Sequence, residues 1–128
     1  MIVVDTSALM AILLEEDRGP ACLERLTIEN DLAVSAVTMA EFLVVAGRRG
    51  IRSEARNLLS ALRPDIVPVT AGDAVKASDV YDVWGEGVHA ARLSFADCFA
   101  YALAKERNAP MLFVGDDFSR TDIEPALP

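Results

Sequence analysis

The sequence predicts an α/β protein, with helices packed around a small, mostly parallel sheet of four or five strands. Three observations carry this. Short β-branched and apolar runs recur at Ile2-Val3-Val4, Leu32 to Ser35, Ile66-Val67 and Met111 to Val114. Between them lie apolar stripes of helical period, singly or in pairs, and the helices outnumber the strands. At 128 residues, 52% apolar and 25% charged, residues 1–128 amount to a single globular domain, able to bury roughly two thirds of its unfolded surface.

Ile2 to Val4 reads as a strand covered on both faces and ending at Asp5. Behind it, Leu9, Ile12 and Leu13 mark a helix. A second helix covers about Gly19 to Ile28, with Pro20 tolerated in its first turn. After the strand at Leu32, Thr38 precedes a helical pattern of Met39, Phe42, Leu43 and Ala46, loosened or stopped by Gly47 and Gly50. Residues 52 to 62 form a helix with Ala55, Leu58, Leu59 and Leu62 as its buried stripe, ended by Pro64. Residues 71 to 84 read as a helix with Ala74, Val75, Ala77, Ser78 and Tyr81 on one side. Residues 85–93 have the poorest pattern. Ser94 opens a helix to about Arg107, and Asn108-Ala109-Pro110 turns the chain into its most strand-like run. A last strand is expected around Ile123, kept short or at an edge by Pro125.

Twelve Lys and Arg against twenty Asp and Glu give a net charge of −8. Attraction to nucleic acid by net charge is thereby excluded, whereas a local basic patch is not. Cys22 and Cys98 are too few for a disulfide scaffold or a cysteine metal cluster, and read as free thiols in a reducing compartment, the cytoplasm. The opening has no basic region before its apolar run, which Asp5 interrupts, so neither a signal peptide nor a membrane span is expected.

In a parallel sheet, sites form beyond the carboxyl ends of the strands. Asp5 follows the first strand directly, and Asp116 and Asp117 follow the last after one glycine. Glu41 and Asp97 fall in the first turns of the helices opened by Thr38 and Ser94. Each acid also reads as helix or turn chemistry: Thr38 to Glu41 and Ser94 to Asp97 both fit the capping box, Asp5 a cap, Asp117 a turn before Ser119. Jointly they point elsewhere, because gathered carboxylates repel unless a divalent cation neutralises them. Oxygen-only donors, with His89 the one histidine, favour Mg²⁺ or Mn²⁺ over Zn²⁺.

Four segments carry a resemblance: VVDTSAL (3–9), SAVTMAE (35–41), LSFADCFAYALA (93–104) and LFVGDDFSRTDI (112–123). In this order and at these separations, running nearly end to end, the chain resembles the PIN-domain nucleases, and among them the VapC toxins of VapBC toxin–antitoxin systems. The resemblance implies a three-layer α/β/α sandwich and a Mg²⁺- or Mn²⁺-dependent endoribonuclease. It makes Asp5, Glu41, Asp97 and Asp116 the catalytic acids, with Asp117 as second choice for the fourth. Asp5, Asp97 and Asp116 become metal ligands, and Thr6 or Ser7 the supporting hydroxyl. Ser94 departs from the Asn of many relatives and leaves the acids untouched.

Phosphodiester hydrolysis needs a polarised phosphate, an ionised water and a neutralised leaving oxygen, all of which acid-held Mg²⁺ can supply. Five of the twelve basic residues, Arg48, Arg49, Arg52, Arg56 and Arg63, fall within sixteen positions. At spacings of three and four, Arg49, Arg52 and Arg56 can share one helix face and, with Arg92, are candidates for contact with RNA or an acidic partner; the plainer reading of the first three is a solvated helix exterior. The resemblance implies RNA, tRNA or another structured RNA among them, as substrate. It also implies a small cognate antitoxin, a homodimer, and a heterotetramer or larger assembly with the antitoxin. Met10, Leu13, Leu14, Leu43, Val44 and Val45 supply apolar surface for the core or for such contacts. Two alternatives stand beside this: a non-catalytic RNA- or protein-binding module, and a metal-dependent DNase. Haloacid-dehalogenase-type, receiver and dinucleotide-binding patterns fail, because DTSALM has neither a second Asp nor any glycine and Val114 leads to no lysine.

Overall fold

A computed structural model describes all residues, 1–128. Four strands, β1 (Ile2–Val4), β2 (Leu32–Ser35), β3 (Asp65–Val67) and β4 (Met111–Leu112), form one sheet in the order β3-β2-β1-β4. Every pairing is parallel, with Val3 opposite both Ala33 and Met111, and Val34 opposite Ile66. The helices are α1 (Thr6–Leu13), α2 (Gly19–Thr27), α3 (Ala36–Arg48), α4 (Arg52–Leu62), α5 (Ala71–Trp84) and α6 (Phe95–Arg107). The expected strand near Ile123 is reduced to one parallel bridge, Met111 to Pro125, on the outer edge of β4. Met111 donates to the Glu124 carbonyl (2.9 Å) and accepts from the Ala126 N–H (2.8 Å). Pro125 has no N–H to give and sits where none is needed.

The strand period of two divides the core. Ile2 and Val4 of β1, with Leu32, Val34 and Leu112, pack with Leu9, Leu26, Phe42 and Leu59 from α1 to α4. Val3, Ala33 and Met111 face the other way, onto Ala77 of α5 and Ala100, Leu103 and Ala104 of α6. The result is a three-layer sandwich whose middle layer is buried on both faces. No helix is long and apolar enough to cross a membrane.

Two expectations change. Helix α3 is capped three residues before Thr38, because Ser35 leaves β2 extended and its hydroxyl oxygen accepts the Val37 N–H (3.2 Å), so that the helix starts at Ala36. No capping box forms between Thr38 and Glu41; Thr38 is buried and Glu41 lies in the second turn. Helix α5 has the predicted limits but buries only Ala77, while Val75 is 62% exposed and Ala74 and Ser78 also face water. It leans on α6 through a narrow strip, Ala77, Val80, Tyr81 and Trp84. The Trp84 indole donates to the Tyr101 hydroxyl (3.1 Å), which donates to Asp122 (2.5 Å), itself paired with Lys105 (2.9 Å). This chain ties α5 and the C-terminal segment to α6.

Helices α1 and α2 approach closely at Gly19, where an added Cβ would stand 2.5 Å from the Ala11 carbonyl oxygen. That backbone cannot yield cheaply, because Ala11 already accepts the Glu16 N–H. Gly19→Ala should therefore destabilise the fold by about 1–3 kcal/mol. Gly72→Ala, whose nearest neighbour would lie at 3.7 Å, should be neutral or slightly stabilising. Equilibrium denaturation of both variants checks the contrast.

Candidate active site

The ends of β1 and β4 with the segments that follow them, helix α3 and the start of α6 enclose a cleft of about 230 Å³. Asp5, Thr6, Ser7, Glu41, Val45, Asp97, Val114, Asp117 and Phe118 line it. Asp5 is only 5% exposed and caps α1: its Oδ2 accepts from the Ser7 N–H (3.0 Å) and hydroxyl (2.6 Å). The Ser7 hydroxyl oxygen accepts in turn from the Val114 N–H (2.9 Å), fixing the loop after β4 against α1. The Thr6 hydroxyl donates to Glu41 Oε1 (2.5 Å), bringing α3 to the same point. Asp97 forms a complete capping box with Ser94, its Oδ2 accepting the Ser94 N–H (2.9 Å) while its own N–H reaches the Ser94 hydroxyl (3.2 Å).

Two of the capping roles are real, then, and they coexist with convergence on one cleft. Asp5, Glu41 and Asp97 are each held through one oxygen, and the second oxygen of each has no protein donor. None of those oxygens is sealed from solvent without a partner. Burial pushes Asp5 up to about 7, further raised by the nearby charges of Asp97 and Glu41 and opposed by the Ser7 hydrogen bonds. Asp97 is also raised, chiefly by burial, then by Glu41 and Asp117, against its Ser94 contacts. Mutual repulsion among these acids is thus a property of the cleft, not only of the sequence.

Of the two adjacent candidates for the fourth acid, Asp117, the second choice of the sequence, lines the cleft and Asp116 does not. Gly115, with φ +105°, turns the chain so that Asp116 lines a separate groove with Arg18, Phe113 and Pro125. Only Asp117 reaches the cleft and acts on Asp97. None of Arg49, Arg52, Arg56 or Arg92 lines the cleft. Arg52 folds back over Gly47, donating to the Leu43 carbonyl at the long distance of 3.5 Å. Arg49, Arg56 and Arg92 are exposed, Arg92 in the left-handed region at φ 54°. His89 packs edge-on to Trp84 (4.6 Å) and accepts the Ala91 N–H, a structural post outside the cleft. Val45 and Phe118 line the cleft without having been singled out for it. Val45 stands one helical turn after Glu41, the spacing that could have placed it there.

No three or more His, Cys, Asp or Glu side chains converge as a preassembled metal cage in these rotamers, Glu41 being drawn toward Thr6. The donor set nevertheless fits a hard divalent cation. It is all oxygen, its carboxylates have open second oxygens, and no Lys or Arg lines the cleft to neutralise them.

Residues 2–124 match the family model described as PIN domain, and the chain belongs to that family. It is 37% identical over 130 residues to the VapC ribonuclease Mb2780c of Mycobacterium bovis, covering 98% of each chain. To ribonuclease VapC30 of Mycobacterium tuberculosis it is 40% identical over 125 residues, covering 95% of each. The fold of Mycobacterium tuberculosis VapC20, a sarcin–ricin loop cleaving toxin, superposes with a TM-score of 0.76 at 21% identity over 96% of both chains. A toxin–antitoxin complex from Klebsiella pneumoniae gives 0.72 at 18% identity, over 95% of this chain and 93% of that one. Within the PIN family the chain groups with the VapC-type toxins of VapBC systems.

A raised Asp5 fixes the sign of a pH effect. The folded carboxyl, at about 7 against an ordinary 3.8, holds its proton where the unfolded chain releases it. Metal-free stability from this group therefore falls as pH rises from about 4 to about 7. Asp5→Asn removes the fall and should unfold up to about 4 kcal/mol later than the parent at pH 8 in EDTA, with little difference near pH 4. Parallel pH profiles for the two proteins would contradict this assignment.

Proposed function

We propose that residues 1–128 act as one PIN-like unit, a metal-dependent endoribonuclease forming the toxin half of a toxin–antitoxin pair. The observation carrying this is the cleft itself: four carboxylates, Asp5, Glu41, Asp97 and Asp117, with no basic side chain among its lining residues. Relatives described as ribonucleases at 37% and 40% identity support RNA as the substrate class. Two buried free thiols suit the reducing cytoplasm.

Asp5 and Asp97 would hold Mg²⁺, with Mn²⁺ as substitute, through the oxygens that Ser7 and Ser94 leave free. Glu41 and Asp117 complete the donor set. When bound, the ion supplies Lewis-acid polarisation of the phosphate and acidifies a water at neutral pH. Ser7 keeps Asp5 oriented and ties down the loop bearing Asp117. Thr6 holds Glu41 through one carboxylate oxygen and leaves the other open to a cation. Val45, Val114 and Phe118 wall the cleft with apolar surface, which strengthens every charge interaction inside. A carboxylate-lined cleft also suits an arginine or lysine from a small cognate antitoxin, in the manner of a homodimer joined by antitoxin into a heterotetramer or larger assembly.

The purified chain, freed of antitoxin, should cut tRNA or other structured RNA in Mg²⁺ or Mn²⁺ and stop in EDTA. Asp97→Asn should lower the rate at least about a hundredfold with its circular dichroism unchanged, since an amide oxygen still accepts the Ser94 N–H. Asp117→Asn should impair cleavage strongly, and Asp116→Asn should leave it within about twofold. RNA left intact by the wild type in both ions would refute the reading, and a large loss in Asp116→Asn alone would reverse the choice of fourth acid.

A further inference from the structure

We propose that Phe95 is a stacking platform for an unpaired nucleobase of the RNA, seated in the groove between α5 and α6. This rests on the ribonuclease reading above and names where substrate is held. Phe95 is 72% exposed, an unusual position for so large an apolar ring. It opens α6 two residues before Asp97, about 3 Å away along the helix axis. Phe99 backs it edge-to-face, with ring centres 5.2 Å apart and planes at 69°, so the ring is braced while much of it stays open. The groove beside it measures about 480 Å³, twice the carboxylate cleft, and its lining is mainly apolar: Ala74, Ala77, Tyr81 and Phe99 among others.

Charge decides what the groove takes. The chain carries −8, and no basic side chain lines the cleft. Coulomb attraction thus gives little hold on a polyanion beside the reacting phosphate. Stacking on an aromatic face provides a hold that does not depend on charge. Asp82 and Glu86 at the groove repel a phosphate and, with the Ser78 hydroxyl, accept hydrogen bonds from the amino and imino groups of a base. The occupant is therefore a base edge and face rather than the backbone, held on the other side of the first turn of α6 from Asp97, since two residues carry a side chain about 200° around the helix.

The test uses a single-stranded oligoribonucleotide carrying 2-aminopurine, titrated in EDTA into the wild type, Phe95→Leu and Phe95→Trp. Stacking predicts fluorescence quenching by the wild type and Phe95→Trp. It predicts loss of quenching in Phe95→Leu, with Kd raised between about five- and a hundredfold. That ratio should hold between low and moderate salt, because no ion is exchanged. Unchanged Kd and quenching in Phe95→Leu overturn the proposal. So does a loss of affinity accompanied by a fall in sedimentation mass, which would make the groove a contact between copies of the chain. Magnesium-dependent tRNA cleavage by the wild type is run alongside. Cleavage without stacking overturns this inference alone, and absence of both cleavage and binding overturns the ribonuclease reading with it.

Discussion

Like charge buried at the end of a parallel sheet is the constraint to which the rest of this structure answers. Asp5 sits 5% exposed at the end of β1, with Glu41, Asp97 and Asp117 lining the same cleft. Left to itself such an arrangement is unfavourable, and the upward displacement of Asp5 and Asp97 is the expression of that cost. The fold offsets part of it locally. Ser7 and Ser94 each give a backbone donor to the acid they serve, and Thr6 gives a hydroxyl to Glu41.

The same contacts build the scaffold. Asp5 starts α1, and the Ser94–Asp97 box starts α6, so the helices begin where the acids are needed. Through Ser7 the loop after β4 is pinned to α1 by a single N–H from Val114. Secondary structure and site are therefore not separable here: an acid that caps a helix is fixed in position by the helix it caps. The cleft's lining residues supply no positive charge of their own, which is the role proposed for a divalent cation.

Much of this was legible in the sequence because strands and acids sit side by side. A three- or four-residue apolar run ending in Asp or Ser announces both a parallel strand and the place where a site forms; β1 and β2 read that way, while the β4 run reaches its acids only after Gly115. Helices α4 and α5 kept their predicted limits, since Arg52–Leu62 and Ala71–Trp84 carry clear breakers at both ends. What escaped was rotation about the chain. Asp116 and Asp117 are adjacent, and only the φ of Gly115 decides which turns inward. Thr38 and Glu41 match a cap in spacing, yet Ser35 captures the helix first. Ala74, Ala77, Ser78 and Tyr81 do share one side of α5, but alanine and serine on a helix do not say how closely that side meets a neighbour, and only Ala77 is buried. Nothing in the spacing of Phe95 within LSFADCFAYALA announces that its ring is exposed.

If the proposed action on RNA holds, an acidic chain must separate holding from cutting, and its exposed arginines along α3 and α4, the open ring of Phe95 and the carboxylates of the cleft lie in different places. The claim on which all else depends is that those carboxylates form one metal site with Asp5 at its centre. Calorimetric titration of Mn²⁺ into the metal-free chain near pH 6.5, in two buffers of different ionisation enthalpy, tests it most directly. The account predicts binding accompanied by proton release from Asp5, and loss of both in Asp5→Asn. Binding of equal strength in Asp5→Asn, or no binding by the wild type, would contradict it.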